Sequence, residues 1–165
     1  MAAVELVRPD GGDGWLLWRA ARLAALADAP EAFPAASAEW PDSGETRWRE
    51  RLLDPTALKI VAAREGVPVG LVRGVIEDGS AWLHSLWVSP HLRGQGLGDR
   101  LVATVEQWAA RYGATSIRLE VVPDNIPAIR LYRRHGYVDS AFQGELLPGG
   151  DRQLVMEKAI TSRST

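Results

Sequence analysis

Apolar and polar positions change period several times along the chain, and each change marks an element. Val4–Val7 is a short strand-like run that Pro9-Asp10-Gly11-Gly12 ends. Leu16, Leu23 and Leu26 recur at near-helical spacing with Arg19 and Arg22 between them, which predicts a helix over Trp15–Ala27 stopped at Ala29-Pro30. Glu31–Gly44 is rich in Ala, Pro and Ser, and a second helix follows over Glu45–Leu53 until Asp54-Pro55. The middle reads as three consecutive strands: Leu58–Ala63, Val69–Ile76 and Ala81–Val88. The turn signals Glu65-Gly66-Val67-Pro68 and Glu77-Asp78-Gly79 separate them, which predicts an antiparallel meander.

Leu101, Val105 and Trp108 then fall on one face of a helix over Leu97–Tyr112, with Gly113 at its C-terminus. Ser116–Val122 is a strand and Asn125–His135 a short helix followed by Gly136. Tyr137–Phe142 and Gln153–Lys158 close the pattern as two strands around Pro148-Gly149-Gly150, and Thr161–Thr165 reads as a frayed tail. Strands and helices are mixed throughout, so one α/β domain over 1–160 is expected.

Composition removes several functions. A 46% hydrophobic and 24% charged chain of 165 residues can bury a core without a staple, which excludes global disorder. Nineteen Lys and Arg against 21 Asp and Glu leave a charge of −2, without the basic footprint that nucleic acid requires. There is no cysteine, which excludes a disulfide scaffold, a Cys-ligated zinc and a thiol nucleophile. His84, His91 and His135 show no HExxH spacing, so no metal is expected. Charge arrives within five residues of Met1 and no run is long enough to span a bilayer, so the cytoplasm is the default compartment and no membrane partner is expected.

The chemistry concentrates between the third meander strand and the long helix, in Val88-Ser89-Pro90-His91-Leu92-Arg93-Gly94-Gln95-Gly96-Leu97-Gly98. Alternating glycines allow a tight turn and close approach of a ligand to the backbone. The helix start after them offers unpaired N–H groups and a positive dipole end to an anion, and Arg93 can add charged hydrogen bonds to a phosphate. A P-loop is excluded because no Lys follows, and a dinucleotide fingerprint because Asp99 stands where its third glycine belongs.

Arg93-Gly94-Gln95-Gly96-Leu97-Gly98 resembles the [RQ]-x-x-G-x-[GA] loop of the GCN5-related N-acetyltransferases, the GNAT family. A second block, Leu119 and Val121 through Asn125, Ala128, Leu131 and Tyr132 to Gly136-Tyr137, is similar to that family's second signature. Both stand in order at strand-to-helix junctions. The resemblance implies a mixed, mostly antiparallel sheet, splayed near its middle, with helices on both faces. It implies acetyl-CoA as cosubstrate, entering the splay between Ala81–Val88 and Ser116–Val122. Leu86, Trp87 and Val88 would pair with the pantetheine arm; Arg93, Gly94, Gln95, Gly96, Leu97 and Gly98 would hold the pyrophosphate; Asn125, Ala128 and Tyr132 would also contact the cofactor.

The family pattern assigns Tyr132 the role of general acid, and a phenol with an ordinary pKa near 10 stays protonated at neutral pH. His84 matches the position of a base in the arylalkylamine branch, and strict strand alternation places it with the even-numbered positions of its strand. Ser85 then faces the other way. Glu120 and Glu77 are weaker base candidates, and alternation points Glu120 away from the site. Trp15, Trp18 and Trp108 read as core. Trp82, with Phe33 and Trp40 of the Ala/Pro-rich segment, would form an aromatic acceptor wall. Arg130, Arg133 and Arg134 read as a solvated helix face from which one side chain can reach the phosphates. The expected activity is direct acetyl transfer to a primary amine of a small molecule. The alternatives are acetylation of a protein N-terminus or lysine, and an acyl-CoA sensor without turnover. Many relatives dimerise through C-terminal strands, and Gln153–Lys158 would serve in a homodimer here.

Overall fold

Seven strands form one sheet in the order β1-β2-β3-β4-β5-β7-β6. In this computed structural model the described residues are 2–30, 44–52, 54 and 56–160. The elements run β1 (Glu5–Val7), α1 (Gly14–Asp28), α2 (Glu45–Leu52), β2 (Ala57–Arg64), β3 (Val67–Glu77), β4 (Ser80–Val88), α3 (Leu97–Arg111), β5 (Ser116–Val121), α4 (Ile126–Arg134), β6 (Val138–Asp139) and β7 (Leu154–Ala159). β1 to β4 are the expected antiparallel meander. β5, β7 and β6 pair antiparallel as well, and the two halves meet through one parallel junction between β4 and β5.

That junction is short. Only Ala81–Ile117, Trp82–Arg118 and Leu83–Leu119 pair, although β4 continues to Val88. A bulge in β4 bends the strand where pairing stops. Leu71 pairs with Trp87 and Arg73 with His84, so β4 uses one extra residue, and Ser85 takes a left-handed φ of +62°. An extra residue bends a strand, increases its twist and disrupts the ladder locally. β4 therefore turns away from β5 and leaves a splay between them.

Each face of the sheet carries a core. On one, Leu101, Val102, Val105 and Trp108 of α3 pack on Ile60, Val72, Leu83 and Leu119. On the other, Trp18, Ala21 and Ala25 of α1 and Trp48 of α2 pack on Val61, Leu71 and Trp87. The inward stripe of α1 differs from the leucine pattern. Leu16 is 48% exposed, whereas Trp18, Ala21, Arg22, Ala25 and Leu26 are buried. Alanines let the helix backbone approach the sheet, and the indole of Trp18 buries more area than a leucine. Of the expected strand Tyr137–Phe142 only Val138–Asp139 pairs; Tyr137 turns into the core instead.

Candidate functional site

The splay opens into a cavity of about 730 Å³. Leu86, Trp87 and Val88 of β4 form one wall, and Asn125, Ala128, Arg130, Leu131 and Arg134 form the other. Arg93, Gly94, Gly96, Gly98 and Asp99 line it at the start of α3. Gly94 and Gly96 have φ of +78° and +86°, where a side chain is strained. Gly96 is the N-cap of α3 and brings no side chain to cap that helix. Its first N–H groups remain available to an anion. Gly98 sets the helix spacing: a Cβ there would lie 3.1 Å from Leu131 Cδ2. Asn125 caps α4, its Oδ1 accepting from the Ala128 N–H at 3.4 Å.

Asp99 stands in the first turn of α3, where its charge would repel a phosphate. Its neighbours compensate it. Arg134 Nη2 donates to both carboxylate oxygens at 3.2 and 3.3 Å, and His135 Nε2 lies 2.8 Å from Oδ1. Partial burial pushes the carboxyl up, but the bonds and charges of His135 and Arg134 outweigh burial and hold it below its ordinary value. Arg93 is partly committed too. Its Nη2 meets Asp28 Oδ2 at 2.7 Å and its Nε donates to the Val88 carbonyl at 3.0 Å, while Trp87 Nε1 donates to the same Asp28 oxygen at 3.0 Å. Arg93 thus anchors the loop to α1 and β4 while still lining the cavity.

Three expected cofactor contacts are not in the cavity wall. Gln95 folds its amide back onto the His91 carbonyl at 3.3 Å. Leu97 is buried in the core. Tyr132 is also buried, one residue after Leu131 and one turn after Ala128, and its ring meets Tyr137 edge-on at 5.9 Å. Burial raises the Tyr132 phenol well above its ordinary value, so it is a donor throughout the neutral range. Nearby, Glu106 Oε2 holds Lys158 Nζ at 2.8 Å, and Glu106 Oε1 lies 3.8 Å from His135 Nδ1.

His84 does not follow the expected alternation. The bulge shifts parity, so Leu83, Leu86 and Val88 share the α3 face. His84 lies with Trp82 on the opposite face, their rings stacked at 6.2 Å. Ser85 also reaches the α1 side, where its Oγ accepts from Arg22 Nη1 at 2.7 Å. Burial first, then the charges of Arg73 and Arg22, push His84 down to about 4. Such an imidazole is neutral at pH 7 but too weak a base to take a proton from an ammonium ion. Glu77 sits exposed at the β3–β4 turn, away from the splay. Phe33 and Trp40 lie outside the described residues.

The sequence profile of the Acetyltransferase (GNAT) family matches residues 23–137, more than half of the chain and all of the splay. The chain belongs to the GNAT family of acetyltransferases. This GNAT chain is 34% identical over 82 residues to the spermine/spermidine N(1)-acetyltransferase of Bacillus subtilis, covering 49% of this chain and 52% of that one. It is 30% identical over 139 residues to the mycothiol acetyltransferase of Clavibacter sepedonicus, covering 84% of this chain and 43% of that one. The chain thus spans about half the length of the curated relatives it matches. In three dimensions it is similar to the spermidine N-acetyltransferase of Vibrio cholerae, solved with CoA and spermine, at a TM-score of 0.72 and 19% identity over 94% of this chain and 95% of that one. That likeness carries the fold.

Sequence reasoning missed Asp28, which fixes Arg93, and Asp99, Val122 and Leu131 in the cavity wall. The i+3 spacing of Ala128, Leu131 and Arg134 on one helix face was the available signal for Leu131.

Proposed function

We propose that this chain is an N-acetyltransferase that moves an acetyl group from acetyl-CoA directly to a primary amine of a small molecule. The observation that carries this reading is the glycine-capped α3 N-terminus behind Gly94 and Gly96 at the mouth of a roomy splay. That arrangement fits the donor. The N–H groups of the first α3 turn would receive pyrophosphate oxygens, and Arg93, Arg130 and Arg134 add positive charge around them. Leu86, Trp87 and Val88 offer a largely apolar wall to the arm, with strand edge groups that β5 no longer pairs. The relatives named above, a spermine/spermidine N(1)-acetyltransferase and a mycothiol acetyltransferase by name, support a small-molecule acceptor.

The amine nitrogen attacks the thioester carbonyl, the C–S bond breaks, and the departing thiolate needs a proton. Tyr132 is the proposed donor, through a phenol that burial keeps protonated. No enzyme thiol exists to carry the acetyl group, which supports direct transfer. Holding donor and acceptor side by side supplies much of the rate. Titration calorimetry with acetyl-CoA tests the donor site. The expected result is one molecule bound per chain, with affinity falling as salt rises; no binding would overturn the reading.

A further inference from the structure

α4 works on two faces. Ala128, Leu131 and Arg134 recur every third residue and line the splay cavity. Ile126, Ile129, Arg130 and Arg133 recur at i, i+3, i+4 and i+7 and line a second hollow, of about 490 Å³. Leu154, which opens β7, and Arg152 just before it line the same hollow. Its floor is apolar. Ile129 is buried and Leu154 half-buried, both in or against the α3-side core, while Ile126 stays 47% exposed. Its rim is cationic. Three arginines line it and no acidic residue does among the described residues, in a chain whose net charge is −2.

The contacts these arginines already make leave their charge largely uncompensated. Arg133 Nη2 lies 3.5 Å from Asp139 Oδ1, but both side chains are more than half exposed, and such a pair is weak. Arg152 Nη1 donates to the Gly144 carbonyl at 3.1 Å, which positions the side chain without neutralising it. Arg130 makes no hydrogen bond or ion pair among the described residues and stands between the two cavities, lining both. The helix dipole accounts for a cation at Arg133 in the last turn of α4; it does not account for Arg152, which comes from another element. We propose that this hollow is a second ligand site, for a small amphiphilic carboxylate. The apolar body would cover Ile126, Ile129 and Leu154, and the carboxylate would be held by Arg133 and Arg152. A guanidinium fork matches two carboxylate oxygens, and covering Ile126 removes apolar surface from water. The volume is that of a small-molecule pocket, and its cations disfavour an amine. The inference goes beyond acetyl transfer and does not rest on it, because Ile126, Arg133 and Arg152 do not line the splay cavity.

The test is titration of the isotope-labelled full chain with octanoate, followed by NMR, with acetate and octylamine as controls and with and without saturating CoA. Octanoate should bind saturably, one molecule per chain, and shift the amides of Ile126, Ile129, Arg133 and Leu154 whether or not CoA is present. Acetate lacks the apolar body and octylamine the anion, so each should bind at least about 10-fold more weakly. Arg133→Glu should weaken octanoate about 10- to 100-fold, the scale of a lost charged hydrogen bond. Arg152→Gln keeps a donor for the Gly144 carbonyl; it should weaken octanoate about 10-fold and leave acetyl-CoA affinity unchanged. No saturable binding at millimolar octanoate, equal binding of octylamine, or shifts confined to residues 86–88 and 94–98 overturns the inference. A dimer that excludes octanoate and is lost in Ile126→Glu also overturns it, and assigns this face to a second copy of the chain. The arm without CoA keeps the result independent of the donor site.

Discussion

Asp28 and Arg93 form a 2.7 Å ion pair that ties the last turn of α1 to the glycine loop. The same Asp28 oxygen accepts the indole N–H of Trp87, whose side chain is buried. One carboxylate thus fixes a helix end, a cavity wall and the phosphate loop. Asp28→Asn keeps an acceptor for the indole and loses the charge. Arg93 is about half exposed, so solvent screening limits that loss to about 1 kcal/mol or less. Asp28→Ala also orphans the Trp87 N–H and should cost roughly 1–3 kcal/mol more. Urea unfolding of the two variants measures the difference.

Gly96→Ala forces a side chain into φ of +86° at the N-cap of α3. The strain is about 1–2 kcal/mol, which for a chain of this size is a fall in Tm of about 2–8 °C. Acetyl-CoA binding, read by calorimetry, should weaken in parallel. Gly149→Ala is the control, because nothing crowds a Cβ there and its φ is not left-handed. It should leave both unchanged.

His84 predicts a pH dependence of stability. Its folded pKa is about 4 against an ordinary 6.5, so the folded chain binds that proton less tightly than the unfolded chain. Stability is whole above about pH 6.5 and falls as pH drops toward 4, by up to about 3 kcal/mol from this group. His84→Asn should flatten unfolding free energy against pH across that window. An imidazole that titrates near 6.5 by NMR would contradict the placement between Arg22 and Arg73.

The element order was legible because α3, the meander and the two strand-to-helix junctions each carry an unambiguous period or turn. Leu101, Val105 and Trp108 read as an inward face and are one. The bulge was not legible. Nothing in His84-Ser85-Leu86 marks an extra residue, and no glycine stands at the left-handed position. Strict alternation therefore placed His84 and Ser85 on opposite faces, whereas both lie on the α1 side. Arg22 read only as a polar position between the leucines of α1, but the bulge gives its guanidinium a part-buried acceptor in Ser85. The glycine loop was legible as an anion site, whereas its tether depends on Asp28, 65 positions from Arg93 in sequence.

Tyr132→Phe separates chemistry from binding. Loss of the phenolic proton should lower kcat about 10²–10⁴-fold while acetyl-CoA affinity stays the same. The ring that packs on Tyr137 is retained, so stability should change little. Equal kcat for both proteins would remove Tyr132 from the mechanism. A parallel loss of affinity and stability would make it a packing residue instead.

The most direct measurement of the central claim is paired: thiol released from acetyl-CoA and N-acetyl product formed, by mass spectrometry, across a panel of primary amines. The chain has no cysteine, so every thiol detected comes from CoA. Direct transfer in the splay predicts one thiol per N-acetyl amine on at least one amine class, with both signals lost in Tyr132→Phe. Thiol release without N-acetyl product, or no consumption of acetyl-CoA with any amine, would contradict it.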